Sequence, residues 1–215
     1  MASDVNVTVY NKTRDFQNIV IFQQKDDLDQ MFNNLFPIAW KVFPLNGVED
    51  GVAKKGMTVY PVKQTIGVVR QPAKTDKLPY GTLEITRKAE NSEQLKYFLD
   101  QNSAQNITLL SGQNDDSSIS CLNEAPELVT IAFAKDNATL VAQINVANGD
   151  KAVFQLTPKL YFMYLNNIKE GDIFKSMQTG TNVKEVDLTG YTSITASLEY
   201  TGGAGQQKGW KIEAR

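Results

Sequence analysis

Asn18-Ile19-Val20-Ile21-Phe22-Gln23-Gln24-Lys25-Asp26-Asp27-Leu28-Asp29-Gln30-Met31-Phe32-Asn33-Asn34-Leu35-Phe36-Pro37-Ile38-Ala39-Trp40-Lys41-Val42-Phe43-Pro44 is the stretch on which the fold turns. Its first apolar run, Ile19 to Phe22, is uninterrupted and rich in β-branched residues, the pattern of a strand buried on both faces. Leu28, Met31, Phe32 and Leu35 then recur at helical spacing, one apolar face of a short helix. Asp26, Asp27 and Asp29 sit at its positive N-terminal end, where carboxylates can cap free N–H groups. Pro37 closes that helix, and Ile38 to Phe43 opens a second extended run carrying Trp40. Strand, plug-like helix and strand make a core, and none of them makes a chemistry.

Outward from this stretch the periodicity is mostly two. Val5, Val7 and Val9 alternate with polar residues in a half-buried first strand. Short strands follow at Met57 to Tyr60, Thr65 to Arg70 and Gly81 to Arg87, separated by glycine- and proline-bearing loops. Asn91 and Gln94 resemble a helix cap, with Leu95, Phe98 and Leu99 as the apolar face of a helix ending near Asp100. The same residues also read as a strand over Lys96 to Leu99. Asn106 to Leu110 is extended, and Ser111 to Ser118 is a polar loop.

In the C-terminal half, Leu128 to Ala134 and Thr139 to Val146 join through Lys135-Asp136-Asn137, a hairpin signal. Ala152 to Leu156, Leu160 to Leu165, Val183 to Leu188 and Ser193 to Tyr200 are further strands, and Trp210, Ile212 and Ala214 share one face of the last. About a dozen short strands imply an all-β fold, an antiparallel, jelly-roll-like β-sandwich with one or two short helices. We expect one domain over residues 1–215, with a subdivision near Asn102 as the alternative, and no fixed-period repeat.

Composition excludes more than it assigns. There is no histidine, which removes Ser-His and Cys-His nucleophile pairs, the two-histidine iron site and the usual zinc sites. A net charge of −2 with scattered cations gives no field for a nucleic-acid backbone. Apolar runs are far shorter than the ~20 residues of a membrane span, and Met1 to Val5 lacks the pattern of a secretory signal. The lone cysteine, Cys121, suits a reducing compartment, so the expected location is cytoplasmic.

Several motifs invite sharper readings. The glycine-rich run Gly202 to Gly209 lies between two strands, not before a helix, so a polar hairpin loop is expected instead of a phosphate cradle. Asp26, Asp27 and Asp29, and Asn114 with Asp115 and Asp116, lack the spacing of a calcium loop; capping and a solvated turn account for them, and no metal or cofactor is expected. Four glycosylation sequons, at Asn6, Asn11, Asn106 and Asn137, arise readily from turn asparagines and strand threonines. Among Trp40, Tyr60, Tyr80, Tyr191 and Trp210, core packing is the common fate. Tyr80 and Tyr191, each beside a glycine in a turn, are the candidates for contacting a ligand, with Gly203 and Gly205 on a polar rim. Glu84, Glu185, Asp187 and Glu199 are the carboxylates available for glycosidase chemistry, and nothing in the sequence pairs them.

Asn18 to Gln24 followed by Ile38 to Val42, together with Ala138 to Ala142, Gly149 to Gln155, Val186 to Tyr191 and Thr201 to Gly205, resembles a family of small, mostly uncharacterised microbial β-rich proteins. Members of that family sometimes carry a ring-opening dioxygenase label. Such enzymes hold iron with two histidines and a carboxylate, which this chain cannot supply. The resemblance implies one β-rich domain and no catalytic residue.

The expected function is therefore non-catalytic: a structural β-sandwich acting by association with copies of itself or with a protein partner. A carbohydrate- or glycan-binding module is the alternative, a carboxylate-based hydrolase the third reading, and a membrane-active protein a weaker fourth.

Overall fold

The computed structural model describes residues 3–24, 35–70, 83–136, 138–174, 182–201 and 207–215. The chain runs through β1 (Val5–Asn11), β2 (Gln17–Phe22), β3 (Leu35–Pro37), β4 (Lys41–Leu45), β5 (Lys54–Tyr60) and β6 (Gln64–Val69). Next come β7 (Ile85–Ala89), β8 (Glu93–Leu99), β9 (Gln105–Gln113), β10 (Ile119–Asn123), β11 (Val129–Lys135) and β12 (Ala138–Val146). The last are β13 (Lys151–Phe154), β14 (Lys159–Tyr164), β15 (Lys184–Asp187), β16 (Ser193–Thr201) and β17 (Gln207–Ala214). These form four sheets, ordered β17-β16-β1-β5, β13-β10-β8-β9, β3-β12-β11-β6-β7 and β15-β14-β2-β4. The fold is all-β, of the sandwich type, as the period-two pattern requires. Among the described pairings only β1–β16 and β8–β10 are parallel. No described helix is long and apolar enough to cross a membrane.

The helix expected from Asn91 to Asp100 is a strand, β8. Leu95 and Tyr97, two apart, are both buried and belong to the main core, so a period of two wins over the spacing of Leu95, Phe98 and Leu99. β9 also continues into the expected polar loop, as far as Gln113. Leu35, read as the last apolar residue of the first helix, lies in β3 with Pro37. The remainder of that helix expectation, with Asp26, Asp27 and Asp29, falls outside the described residues.

β2 is buried on both faces. Ile19 and Ile21 point into the main core, while Val20 and Phe22 pack with Tyr161, Met163 and Phe174 in a second cluster behind it. The main core draws on all four sheets, from Val5, Val7 and Val9 of β1 to Ile194, Ala196 and Leu198 of β16. β1 is an interior strand, paired with β16 and β5, and β17 closes the sheet as an edge strand, so both ends of the chain are full sheet members.

The pairings disclose a duplication. β1, β2 and β4 to β9 correspond in order to β10 to β17, with β3 as the one extra strand. Within each half, β1–β5 matches β10–β13, β2–β4 matches β11–β12, β6–β7 matches β14–β15, and β8–β9 matches β16–β17. Between halves the exchange is reciprocal: β1 takes β16 as β10 takes β8, and β2 takes β14 as β11 takes β6. Reciprocal contacts are the signature of a twofold relation.

Equivalent asparagines hold equivalent corners. Buried Asn11 accepts from Thr13 N (3.0 Å) and donates to Asp15 O (2.8 Å) and Leu45 O (3.0 Å). Buried Asn123 accepts from Ala125 N (2.9 Å) and donates to Glu127 O (2.9 Å) and Val146 O (3.0 Å). Each side chain satisfies backbone groups that the sheets leave unpaired at the same corner.

Candidate functional site

Three sheets end at one place, on the line that relates the two halves. There β1 starts against the end of β5 (Val5 opposite Tyr60) and beside the start of β16 (Asn6 beside Ser193). The start of β6 meets the ends of β7 and β11, and the start of β14 meets the ends of β2 and β15. Between these ends lies a cleft of about 980 Å³, near the upper end of the size usual for small-molecule sites.

Its floor is built from equivalent residues of the two halves. Gln23 follows Ile19 and Ile21 on the inward face of β2, and Lys135 follows Ile131 and Phe133 on the inward face of β11. Gln23 Nε2 donates to Thr157 O (2.6 Å) in the β13–β14 connection. Lys135 Nζ donates to Pro61 O (2.5 Å) and Val62 O (3.3 Å) in the matching β5–β6 connection. By strand register, Pro61 and Thr157 are counterparts.

Tyr60 ties the two sides together. Its hydroxyl donates to Gln23 Oε1 (3.0 Å), and its ring lies 4.3 Å from Lys135 Nζ, a cation–π contact. Trp40, itself buried, packs edge-on behind that ring at 5.6 Å. Burial pushes the Tyr60 phenol above its ordinary range, against the opposing hydrogen bond to Gln23, so it stays protonated. Lys135 is only 5% exposed. Desolvation brings its ammonium down to about 8, with Asp4 acting weakly in the other direction. Asp4 itself accepts from Val62 N at 2.8 Å. No described carboxylate lies within ion-pair distance of Lys135.

The two rims differ. On one side β7 passes to β8 through Glu90 to Ser92, braced by Gln64 Nε2 donating to Asn91 Oδ1 (2.8 Å) and by the Lys88–Glu90 pair (3.0 Å). On the other, the longer link Leu188 to Thr192 carries Tyr191, 40% exposed, to the mouth. Asp187 anchors this link by accepting from Thr189 N (2.8 Å), and hydrogen bonds from the Thr189 side chain first and its backbone second hold the carboxyl below its ordinary range. Gly190, at φ +81°, makes the reversal that a side chain would strain.

Of the ligand-contact candidates read from sequence, Tyr191 is placed at the cleft; Tyr60, expected as a core aromatic, is buried and lines it too. Tyr80, Gly203 and Gly205 lie outside the described residues. Trp210 is half-buried on the core, its Nε1 donating to Asn182 O (2.8 Å). Glu185 engages Tyr161 and Lys159, Glu199 engages Lys12, and Glu84 accepts from Gln105, so each of these carboxylates serves a different local contact. Asn114 and Asp116 brace the turn before β10, through Ser118 O and Ser118 N. Gln23, Tyr60 and Lys135 were not foreseen as a group. The available signal was a lysine on the inward parity of an apolar strand, overlooked because Lys135 also reads as the first residue of a turn.

A family model described as RhiA matches residues 2–208. The chain belongs to the RhiA family. The match takes in β1 to β16 and every residue of the cleft named above, so the cleft lies wholly within the RhiA-family region. No curated protein and no solved structure matches the chain.

Proposed function

We propose that this RhiA-family chain works by binding, without turnover, and that it takes a carbohydrate-like polar ligand in the cleft between its two halves. The observation that carries this reading is Tyr191, held 40% exposed at the mouth of a cleft of about 980 Å³. An exposed aromatic ring offers an apolar face to the C–H side of a sugar. The carbonyls, amides and hydroxyls around it supply the polar groups that would fix orientation. The absence of histidine and the separate engagement of the acidic residues support a site without acid–base machinery. Buried, unpaired Cys121 suits a reducing, cytoplasmic setting.

The test is a glycan array followed by titration of the hits, monitored by amide chemical shifts. Binding should perturb residues 188–192 and fall at least tenfold in Tyr191→Ala. A folded chain that answers to no glycan would set this reading aside.

Association is favoured by a separate observation. Edge strand β5 exposes Met57 (63%) and Val59 (44%) on one face, an apolar stripe beside unpaired backbone groups. A second copy pairing there would cover it. Sedimentation should then show concentration-dependent assembly that Met57→Lys abolishes; a monomer at every concentration would end this reading.

A further inference from the structure

The duplicated fold contains its own control for Lys135. Gln23 occupies the equivalent position, makes the equivalent bond to Thr157 O, and does so without charge. Holding the β5–β6 connection therefore requires a donor and not a cation. An uncompensated ammonium at a site only 5% exposed costs free energy that a glutamine would avoid. Local violations of this kind concentrate at functional sites. Of the three donors on the ammonium, two are taken by Pro61 O and Val62 O. The third has no described acceptor, and Lys135 lines the cleft.

We propose that the cleft is selective for an acidic sugar, a uronic acid whose carboxylate sits against Lys135. The inference rests on the carbohydrate-binding reading above and adds the charge of the ligand. A ligand carboxylate would supply the missing counter-ion and accept the third N–H in a charge-assisted bond. It would also raise the lysine's affinity for its proton, so ligand and proton bind cooperatively. The other ionisable groups about the cleft are Asp4 beside the Val62 N–H, Tyr60 beneath the ammonium, and Lys63, Lys88, Glu90 and Tyr191 toward the opening. Of these, Lys88 is paired with Glu90.

Matched pairs that differ only at the sixth carbon test this: methyl β-D-glucuronide against methyl β-D-glucoside, with the galacto and manno pairs alongside. In calorimetric titration of the full chain at pH 7, the uronide of at least one pair should bind ten-fold or more tightly than its neutral partner. That preference should shrink as pH rises past 8, where the free amine loses its charge. Lys135→Gln, which copies the other half of the molecule and removes the buried charge, should melt no lower than the parent at pH 7 and keep the affinity for the neutral glycoside while losing the preference.

Equal binding of uronide and glycoside would overturn the inference and leave the carbohydrate reading standing. A preference that survives in Lys135→Gln would overturn it too, moving the selectivity to Lys63 or Lys88. Binding of neither class, in any pair, would remove both readings.

Discussion

Lys135 and Asn123 show how single residues set the stability of this molecule in opposite ways. The folded chain releases the Lys135 proton near pH 8, against an ordinary lysine value of 10.5. Between those values the unfolded state holds more protons, so stability rises with pH; below pH 8 the full cost of burying the charge is present. Relative to Lys135→Gln, the wild-type chain should therefore gain on the order of 3 kcal/mol in urea unfolding between pH 7 and pH 10.5. Tyr60, whose raised value opposes this above pH 10, is common to both proteins and cancels in the difference. A pH-independent difference would show that the ammonium is well solvated in the cleft. Asn123 contributes in the favourable direction, satisfying three backbone groups at once, two of them fully buried. Asn123→Ala leaves all three without a partner and should cost ~3 kcal/mol in the same measurement, as should Asn11→Ala at the equivalent corner. A loss below ~1 kcal/mol at both would mean that water replaces the side chain.

At the level of elements, β1 is the strand with most to lose. It lies between a parallel and an antiparallel neighbour, and it buries Val5, Val7 and Val9. Each valine contributes ~1.5–3 kcal/mol by burial, a sum comparable with the whole stability of a domain. Removing residues 1–10 should eliminate the cooperative thermal transition followed by circular dichroism, and a truncated chain melting like the parent would contradict the topology. The connection after β4 has a stricter requirement. A Cβ on Gly47 would collide with the backbone carbonyl of Arg14, which no side-chain rotation can relieve. Gly47→Ala should lower the melting temperature by several degrees, while Gly149→Ala, at φ +83° with open space around it, tests backbone strain alone.

At the scale of the whole molecule the two halves are interleaved, not merely adjacent. β6 and β14 each pair within their own half on one side and with the other half on the other, and β1–β16 and β8–β10 cross as well. A fragment of residues 1–113 or 114–215 therefore lacks neighbours for its central strands. Neither alone should give a dispersed amide spectrum, and mixing the two should restore one. A single half that folds unaided would show the cross-half pairings to be dispensable. The cleft depends on the same interleaving, since its floor takes Gln23 and Tyr60 from one half and Lys135 from the other.

What the sequence determined by itself is local. The unbroken run Ile19 to Phe22 established a strand buried on both faces, because alternate side chains leave a strand on opposite sides and here both sides are apolar. Strict alternation around Val5 to Val9 and Ser193 to Tyr200 did the same for the sheet at the chain ends, and a glycine beside Tyr191 marked the turn that exposes it. Leu95 to Leu99 fits either state in sequence, since its four apolar residues suit a helix face and a strand equally until burial of Tyr97 against the core selects the strand. The duplication was illegible because the halves share few residue identities and their connections differ in length, so no fixed period runs through the chain. The cleft was decided by tertiary structure alone. Gln23, Tyr60 and Lys135 are far apart in sequence, and only reciprocal pairing of two halves brings three strand ends, each with its own inward parity, to the same point.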